Sequence, residues 1–291
     1  MRNLSEDTIT QAVLARHKDA PDARLKEIMT ALVQHLHAFA REVNLTEAEW
    51  FEGIRFLTDV GHITDARRQE FILLSDTLGL SMLVIAMNNR KPAGCTEATV
   101  FGPFHVEGAP QYALGADVAN GAPGEPCFVR GHVRGLDGRP VAGATLDVWQ
   151  ADEAGFYDVQ YKDLQHHRAR GVLHPGPDGE FHFRTIVANA YPIPHDGPVG
   201  RMLQALNRHP WRPAHLHFMI TAAGYETLVT HVFRDGDKYL DSDAVFGVRS
   251  SLIAEWMRHE PGTAPDGTRL DVPYYTLDFD FVLNPAPAGA R

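Results

Sequence analysis

Trp211-Arg212-Pro213-Ala214-His215-Leu216-His217-Phe218 sets two histidines one residue apart in a run that alternates along its length. In an extended strand, residues i and i+2 share a face. His215 and His217 therefore point the same way, with Met219 beyond them, while Leu216, Phe218 and Ile220 turn toward a core. Two imidazoles on one rigid strand can reach one metal ion, and neutral imidazole is the commonest protein metal ligand. In isolation the same pair also reads as two polar residues on a solvated face, so the rest of the chain decides.

Outward from that strand the period of two continues. Phe128 to Val133 reads as a strand leading into the turn signal Asp137-Gly138, and Thr145 to Trp149 as the next. Asp178-Gly179 turns into Phe181-His182-Phe183-Arg184, Leu228 to Phe233 follows the histidine strand, and Leu277, Phe279 and Phe281 alternate near the end. Short strands at this spacing, with little helix between them, predict an antiparallel β-sandwich. Residues 1 to about 90 read instead as helices. Leu25, Ile28, Met29, Leu32, Leu36, Phe39 and Val43 form one apolar stripe. Thr46-Glu47-Ala48-Glu49 is a capping box that opens a helix through Trp50, Ile54 and Leu57. Thr64-Asp65 is read as opening a further helix, apolar nearly all round from Phe71 to Met87 and so expected to be buried against other helices or a partner subunit. Asn88 to Gly94 breaks the pattern. The expected fold is thus mainly β, a helical domain over 1–94 followed by a sandwich over 95–291, with a frayed tail from Pro285 to Arg291.

Composition narrows the function classes. A net charge of −10 leaves no basic excess to neutralise phosphates, which argues against nucleic acid or an anionic membrane surface as partner. No apolar run is long enough to span a bilayer, and Met1 to Asp7 holds no segment of signal-peptide type. The two cysteines, Cys95 and Cys127, form no CxxC, so a reducing, cytoplasmic setting is expected.

Two histidines do not hold a catalytic metal alone. The conspicuous oxygen donors nearby are tyrosines, Tyr157 in Gly155-Phe156-Tyr157 and Tyr191 in Tyr191-Pro192-Ile193-Pro194, each just after a predicted strand. Taken singly, each reads equally as a packing residue with a satisfied hydroxyl. Together with Arg212-Pro213-Ala214-His215-Leu216-His217-Phe218 and Gly236-Asp237-Lys238-Tyr239-Leu240, these motifs make the chain resemble the intradiol ring-cleaving dioxygenases of the catechol and hydroxyquinol 1,2 type, over nearly its whole length.

The resemblance implies one ferric ion per subunit, held by Tyr157, Tyr191, His215 and His217. Hard oxygen anions suit Fe(III), and metal charge drives loss of the phenolic proton. It implies a small aromatic diol or triol and O2 as reactants, with Tyr191 and Arg212 as catalytic groups: Tyr191 leaves the metal to act as a base, and Arg212 stabilises negative charge on the ring. The ring pocket would be lined by Leu73, Asp76, Val100, Phe101, Gly102, Pro103, Phe104, Ile193, Pro194, Arg212 and Val245. Tyr191 to Gly200 and Asp241 to Val248 look most like the hydroxyquinol branch, so the expected reaction opens benzene-1,2,4-triol to 3-hydroxy-cis,cis-muconate, which tautomerises to maleylacetate. Catechol or a chlorocatechol is the alternative substrate. Asp76, acidic in an apolar helix, either accepts a hydrogen bond from the third ring hydroxyl or pairs locally. His231 departs from the Gln of many catechol-type relatives. A homodimer through the helical domain, in some members with phospholipid between subunits, is also implied. A metal-free sandwich acting as a binding module is the reading from a different class.

Overall fold

The computed structural model describes residues 2–65 and 68–287. Residues 288–291 of the tail read as frayed, and 66–67 at the start of the apolar stretch, lie outside the described residues. The chain divides into two compact units, Met1–Asp59 and Val60–Arg291.

Helices come first: α1 Ile9–Ala15, α2 Ala23–Glu42, α3 Glu47–His62, α4 Glu70–Thr77 and α5 Leu80–Asn88, with α6 Pro198–Ala205 much later. Asp22 caps α2 by accepting from the Arg24 and Leu25 amides at 2.9 and 3.0 Å. The capping box of α3 forms as read: Thr46 N–H donates to Glu49 Oε2 at 2.9 Å, and Glu49 N–H to Thr46 Oγ1 at 3.3 Å. The apolar stripe of α2 lies exposed, from Leu25 through Leu32 and Leu36 to Phe39.

The long buried helix expected after Thr64-Asp65 is corrected. Thr64, Asp65, Arg68 and Gln69 are not helical, and Glu70 to Asn88 forms two helices, α4 and α5, which meet at an angle of 77°. Gly79 makes the break. At φ 75° it takes the left-handed conformation, which glycine adopts without the steric cost a Cβ brings. Within this chain the stretch is not buried all round, since Phe71, Ile72, Leu80, Leu83, Val84 and Met87 are exposed while Leu73, Leu74, Asp76 and Met82 are buried, which leaves the partner-subunit alternative for the exposed side. Among the described residues no single helix is long and apolar enough to cross a membrane.

The strands, in chain order, are β1 Pro126–Gly135, β2 Thr145–Trp149, β3 Arg170–Leu173, β4 Glu180–Ile186, β5 Tyr191–Pro192, β6 Trp211–Arg212, β7 His215–Thr221, β8 Leu228–Arg234, β9 Ile253–Ala254, β10 Trp256–His259, β11 Gly262–Thr263, β12 Arg269–Leu270, β13 Tyr274–Asp278 and β14 Phe281–Leu283. One five-stranded sheet runs β3-β2-β7-β8-β9. In the other, β1 has β4 on one side, and β13 (continuing to β10) and β14 on the other. Val129, Phe181, Phe183 and Phe281 from the second sheet share a buried core with Leu146, Val148, Leu216 and Phe218 from the first.

The sheets are mixed rather than antiparallel. β1 pairs in parallel with both β13 and β14, and β8 with β9. Side-chain period identifies a strand but not its direction or its partner. The turn at Asp137-Gly138 closes a short antiparallel hairpin, with Arg134 bridging Pro140 and the Gly135 N–H donating to the Arg139 carbonyl at 2.9 Å, but the chain then crosses over, since β1 and β2 lie in different sheets.

Between β13 and β14 the backbone presses on β1. A Cβ built on Gly131 would lie 1.8 Å from the Phe279 carbonyl oxygen. Gly131→Ala is expected to destabilise the protein by about 1–3 kcal/mol, measured by denaturant unfolding. An unchanged midpoint would show that the strands separate at no cost.

Candidate metal centre and its surroundings

Antiparallel register carries the site across the first sheet. Trp149 on β2 faces Arg170 on β3 and His217 on β7, and His217 faces His231 on β8. Register partners in an antiparallel sheet project from the same face. Arg170, Trp149, His217 and His231 therefore form one row on the face away from the core, with His215 two residues along β7. Trp149 stacks on His217 at 4.7 Å between centroids, and His231 stacks on His215 at 4.5 Å.

The tyrosines arrive from outside the sheet. Tyr157 follows β2 and begins a short 3₁₀ turn, Asp158–Gln160, where its N–H donates to Gln160 Oε1 at 2.8 Å. Tyr191 opens β5 and is the register partner of Arg212 on β6, three residues before His215. Tyr157 Oη then lies 3.1 Å from Tyr191 Oη and 2.7 Å from His217 Nε2, and His217 Nε2 lies 3.2 Å from His215 Nε2. Two ligand atoms each about 2.0 Å from one ion and at right angles lie about 2.8 Å apart. The donor spacing is that of the edges of a single coordination shell.

The protonation states fit. His215 Nδ1–H donates to the Pro213 carbonyl at 2.7 Å, which leaves the Nε2 lone pair facing the other donors. Burial, with the Arg212 charge adding to it, pushes the His215 pKa down to about 3. Burial also holds His217 and His231 well below the ordinary imidazole value. All three are neutral, as metal binding requires. Burial and then Tyr191 push the Tyr157 phenol well above its ordinary pKa, while Arg212 and Arg170 pull the other way. Loss of that proton needs a positive charge at the centre, which a metal provides. His215, His217 and His231 together form a buried three-nitrogen cluster able to hold a metal.

Arg212 is buried, not at a sheet edge. Its Nε and Nη2 donate to Asp243 Oδ1 and Oδ2 at 3.0 and 3.2 Å, and its Nη1 lies 3.3 Å from His215 Nε2. Burial disfavours both charges, but their mutual attraction outweighs it: the Arg212 pKa rises and that of Asp243 falls.

The expected pocket residues fall into three groups. Of the 100–104 segment, Val100 is buried, Gly102 packs so closely that a Cβ would lie 3.2 Å from His217 Cε1, and Phe104 stacks on Tyr157 at 4.4 Å. Phe101 meets Trp149 edge-on at 5.8 Å yet stays exposed, as does Pro103. Ile193 and Pro194 follow Tyr191, Ile193 buried and Pro194 partly so, and Val245 is buried two residues after Asp243. Leu73 and Asp76 are both buried on α4. That helix is anchored by the buried Glu70, which accepts the Val199 N–H at the start of α6 at 3.1 Å. Burial holds the Asp76 carboxyl above its ordinary pKa. The Ser81 hydroxyl and the Arg212 charge oppose this, which places Asp76 within electrostatic reach of the site arginine. Among the described residues Asp76 forms no ion pair; its local partner is the Ser81 hydroxyl.

Sequence reasoning missed Asp243 as the partner of Arg212, Trp149 as the support of His217, and the buried Arg170–Asp158 pair. For the first, the sequence signal is an aspartate opening the apolar run Asp243-Ala244-Val245-Phe246.

Known proteins resemble the chain over nearly its whole length. A family model described as catechol dioxygenase N terminus matches residues 22–96, and one described as dioxygenase matches 100–285. A 6-chlorohydroxyquinol 1,2-dioxygenase of Cupriavidus pinatubonensis is 67% identical, covering 98% of this chain and 99% of that protein. A hydroxyquinol 1,2-dioxygenase of Nocardioides simplex is 56% identical, covering 97% of this chain and 96% of that protein. The crystal structure of hydroxyquinol 1,2-dioxygenase from Pseudomonas putida DLL-E4 superposes with a TM-score of 0.89 at 50% identity, covering 97% and 99% of the two chains.

Removing Asp243 would strand a buried guanidinium. Asp243→Ala is expected to cost about 3–5 kcal/mol of stability, read from urea unfolding. A loss no larger than that of an exposed-aspartate variant would mean that Arg212 is solvated. Sequence, fold and donor geometry converge on one statement of kinship: the chain belongs to the intradiol ring-cleavage dioxygenases.

Proposed function

We propose that the protein opens hydroxyquinol, benzene-1,2,4-triol or a chlorinated form of it, between the two carbons bearing adjacent hydroxyls, using O2 and one ferric ion. The observation that carries this is the convergence of Tyr157, Tyr191, His215 and His217 on donor–donor spacings of 2.7–3.2 Å. Bound there, ferric iron would supply Lewis acidity and a template for both ring oxygens. The residues do the rest. Tyr157 stays as a phenolate, fixed by the stacked Phe104. Tyr191 Oη takes up a proton from the incoming diol. Arg212, held by both oxygens of Asp243, keeps a fixed positive charge beside the ring, where negative charge develops. A preorganised charge in a dry site acts more strongly than one in water.

Asp76 supplies the choice of substrate. A buried carboxyl without an ion-pair partner gains from a hydroxyl that donates to it, and only the triol offers a third. Gly102 keeps space beside His217 that a side chain would fill. Oxygen uptake tests the reading. The triol is expected to turn over faster than catechol, and Asp76→Ala to lose about 10- to 100-fold in kcat/KM on the triol with little change on catechol. Equal losses on both remove Asp76 from recognition, and no uptake with any diol by iron-loaded protein overturns the function.

The exposed stripe of α2 supports residues 1–94 as a dimerisation domain, with a phospholipid acyl chain as a further occupant of such surface. Sedimentation is expected to give a dimer that Leu32→Glu dissociates. A monomeric wild-type protein would contradict the assignment.

A further inference from the structure

Arg170 is 1% exposed, and its charge is not used by the chemistry above. Burying a guanidinium costs several kcal/mol unless its hydrogen bonds are well met. Here they are. Nε donates to Asp158 Oδ1 and Oδ2 at 2.9 and 2.8 Å, Nη2 bonds Asp158 Oδ1, and Nη1 donates to the Phe104 carbonyl at 2.9 Å. Asp158 directly follows Tyr157 and also receives the Arg168 N–H at 3.3 Å. The Phe104 ring lies on the Tyr157 ring at 4.4 Å with 22° between planes. Arg170 thus holds two segments at once, one covalently joined to Tyr157 and the other stacked on it.

Its own position is rigid. As register partner of Trp149, it sits in the same row as His217. The sheet that carries the imidazoles therefore also carries the group that ties down the phenol. We propose that Arg170 is a positioning residue for the reaction: by bridging Asp158 to the Phe104 carbonyl, it fixes the Tyr157 phenol against the imidazole row. Lysine cannot replace it, because a single ammonium lacks the planar fork that reaches both segments.

The inference rests on the ferric-tyrosinate reading, and the test separates the two. Iron-loaded Arg170→Lys is compared with wild type and with Leu173→Ala, a core-facing truncation on the same strand that only lowers stability. The expected result for Arg170→Lys is a displaced and weakened tyrosinate-to-iron absorption band, with kcat down by up to about 100-fold and KM nearly unchanged. Leu173→Ala is expected to leave the band where it is. If Arg170→Lys does not accumulate as folded protein, Phe104→Leu decides. It removes the stack and keeps Arg170, and is expected to displace the band in the same direction. A coloured wild type with an unmoved band in the deciding variant overturns the positioning role alone. An Arg170→Lys band no different from that of Leu173→Ala does the same. A colourless iron-loaded wild type overturns the ferric reading and this inference with it.

Discussion

In β7 the extended backbone sends Leu216, Phe218 and Ile220 into the shared core and turns His215 and His217 to the opposite face. Both sides are held. The apolar side is packed against Phe181, Phe183 and Phe281, so the strand cannot slip by one residue without exposing its core side chains. The polar side is braced by Trp149 on one flank and His231 on the other. Imidazole placement is therefore fixed by core packing, not by hydrogen bonds at the site alone.

Around that strand the protein invests in buried charge. Arg212–Asp243 lies on one side of the donor cluster and Arg170–Asp158 on the other, each at most a few per cent exposed at its side chains. Such pairs are poor sources of stability when compared with apolar residues of the same size. Their value here is directional. A guanidinium fork accepts few geometries, so each pair fixes a loop to a strand: 243–247 to Arg212, and 157–160 with Phe104 to Arg170. Loops bring chemical variety, and each of these two is tied to a strand by a buried guanidinium.

Much of this was legible in the sequence, and the rest was not for identifiable reasons. Period two gave the histidine face and the strands around it, because alternation is a local property. The capping box at Thr46 was legible for the same reason. Tyr157 and Tyr191 stood out by their places after predicted strands, but only resemblance made them ligands, since a buried phenol that packs and one that ligates look alike in sequence. Asp243 and Arg170 pair with groups 31 and 12 residues away through irregular segments, and nothing local encodes such a closure. The parallel pairing of β1 was invisible because its partners, β13 and β14, lie more than a hundred residues downstream. The α4–α5 break was misread although Gly79 marked it: an uninterrupted apolar run outweighed the one residue suited to a left-handed turn.

The central claim is that two phenolate oxygens and two imidazoles share one ferric ion. Resonance Raman scattering excited within the visible band of the iron-loaded protein tests it most directly. The account predicts strongly enhanced tyrosinate ring modes, and loss of one set of them when Tyr157 is replaced by Phe. A visible band without enhanced tyrosinate modes, or modes unaffected by Tyr157→Phe, would contradict it.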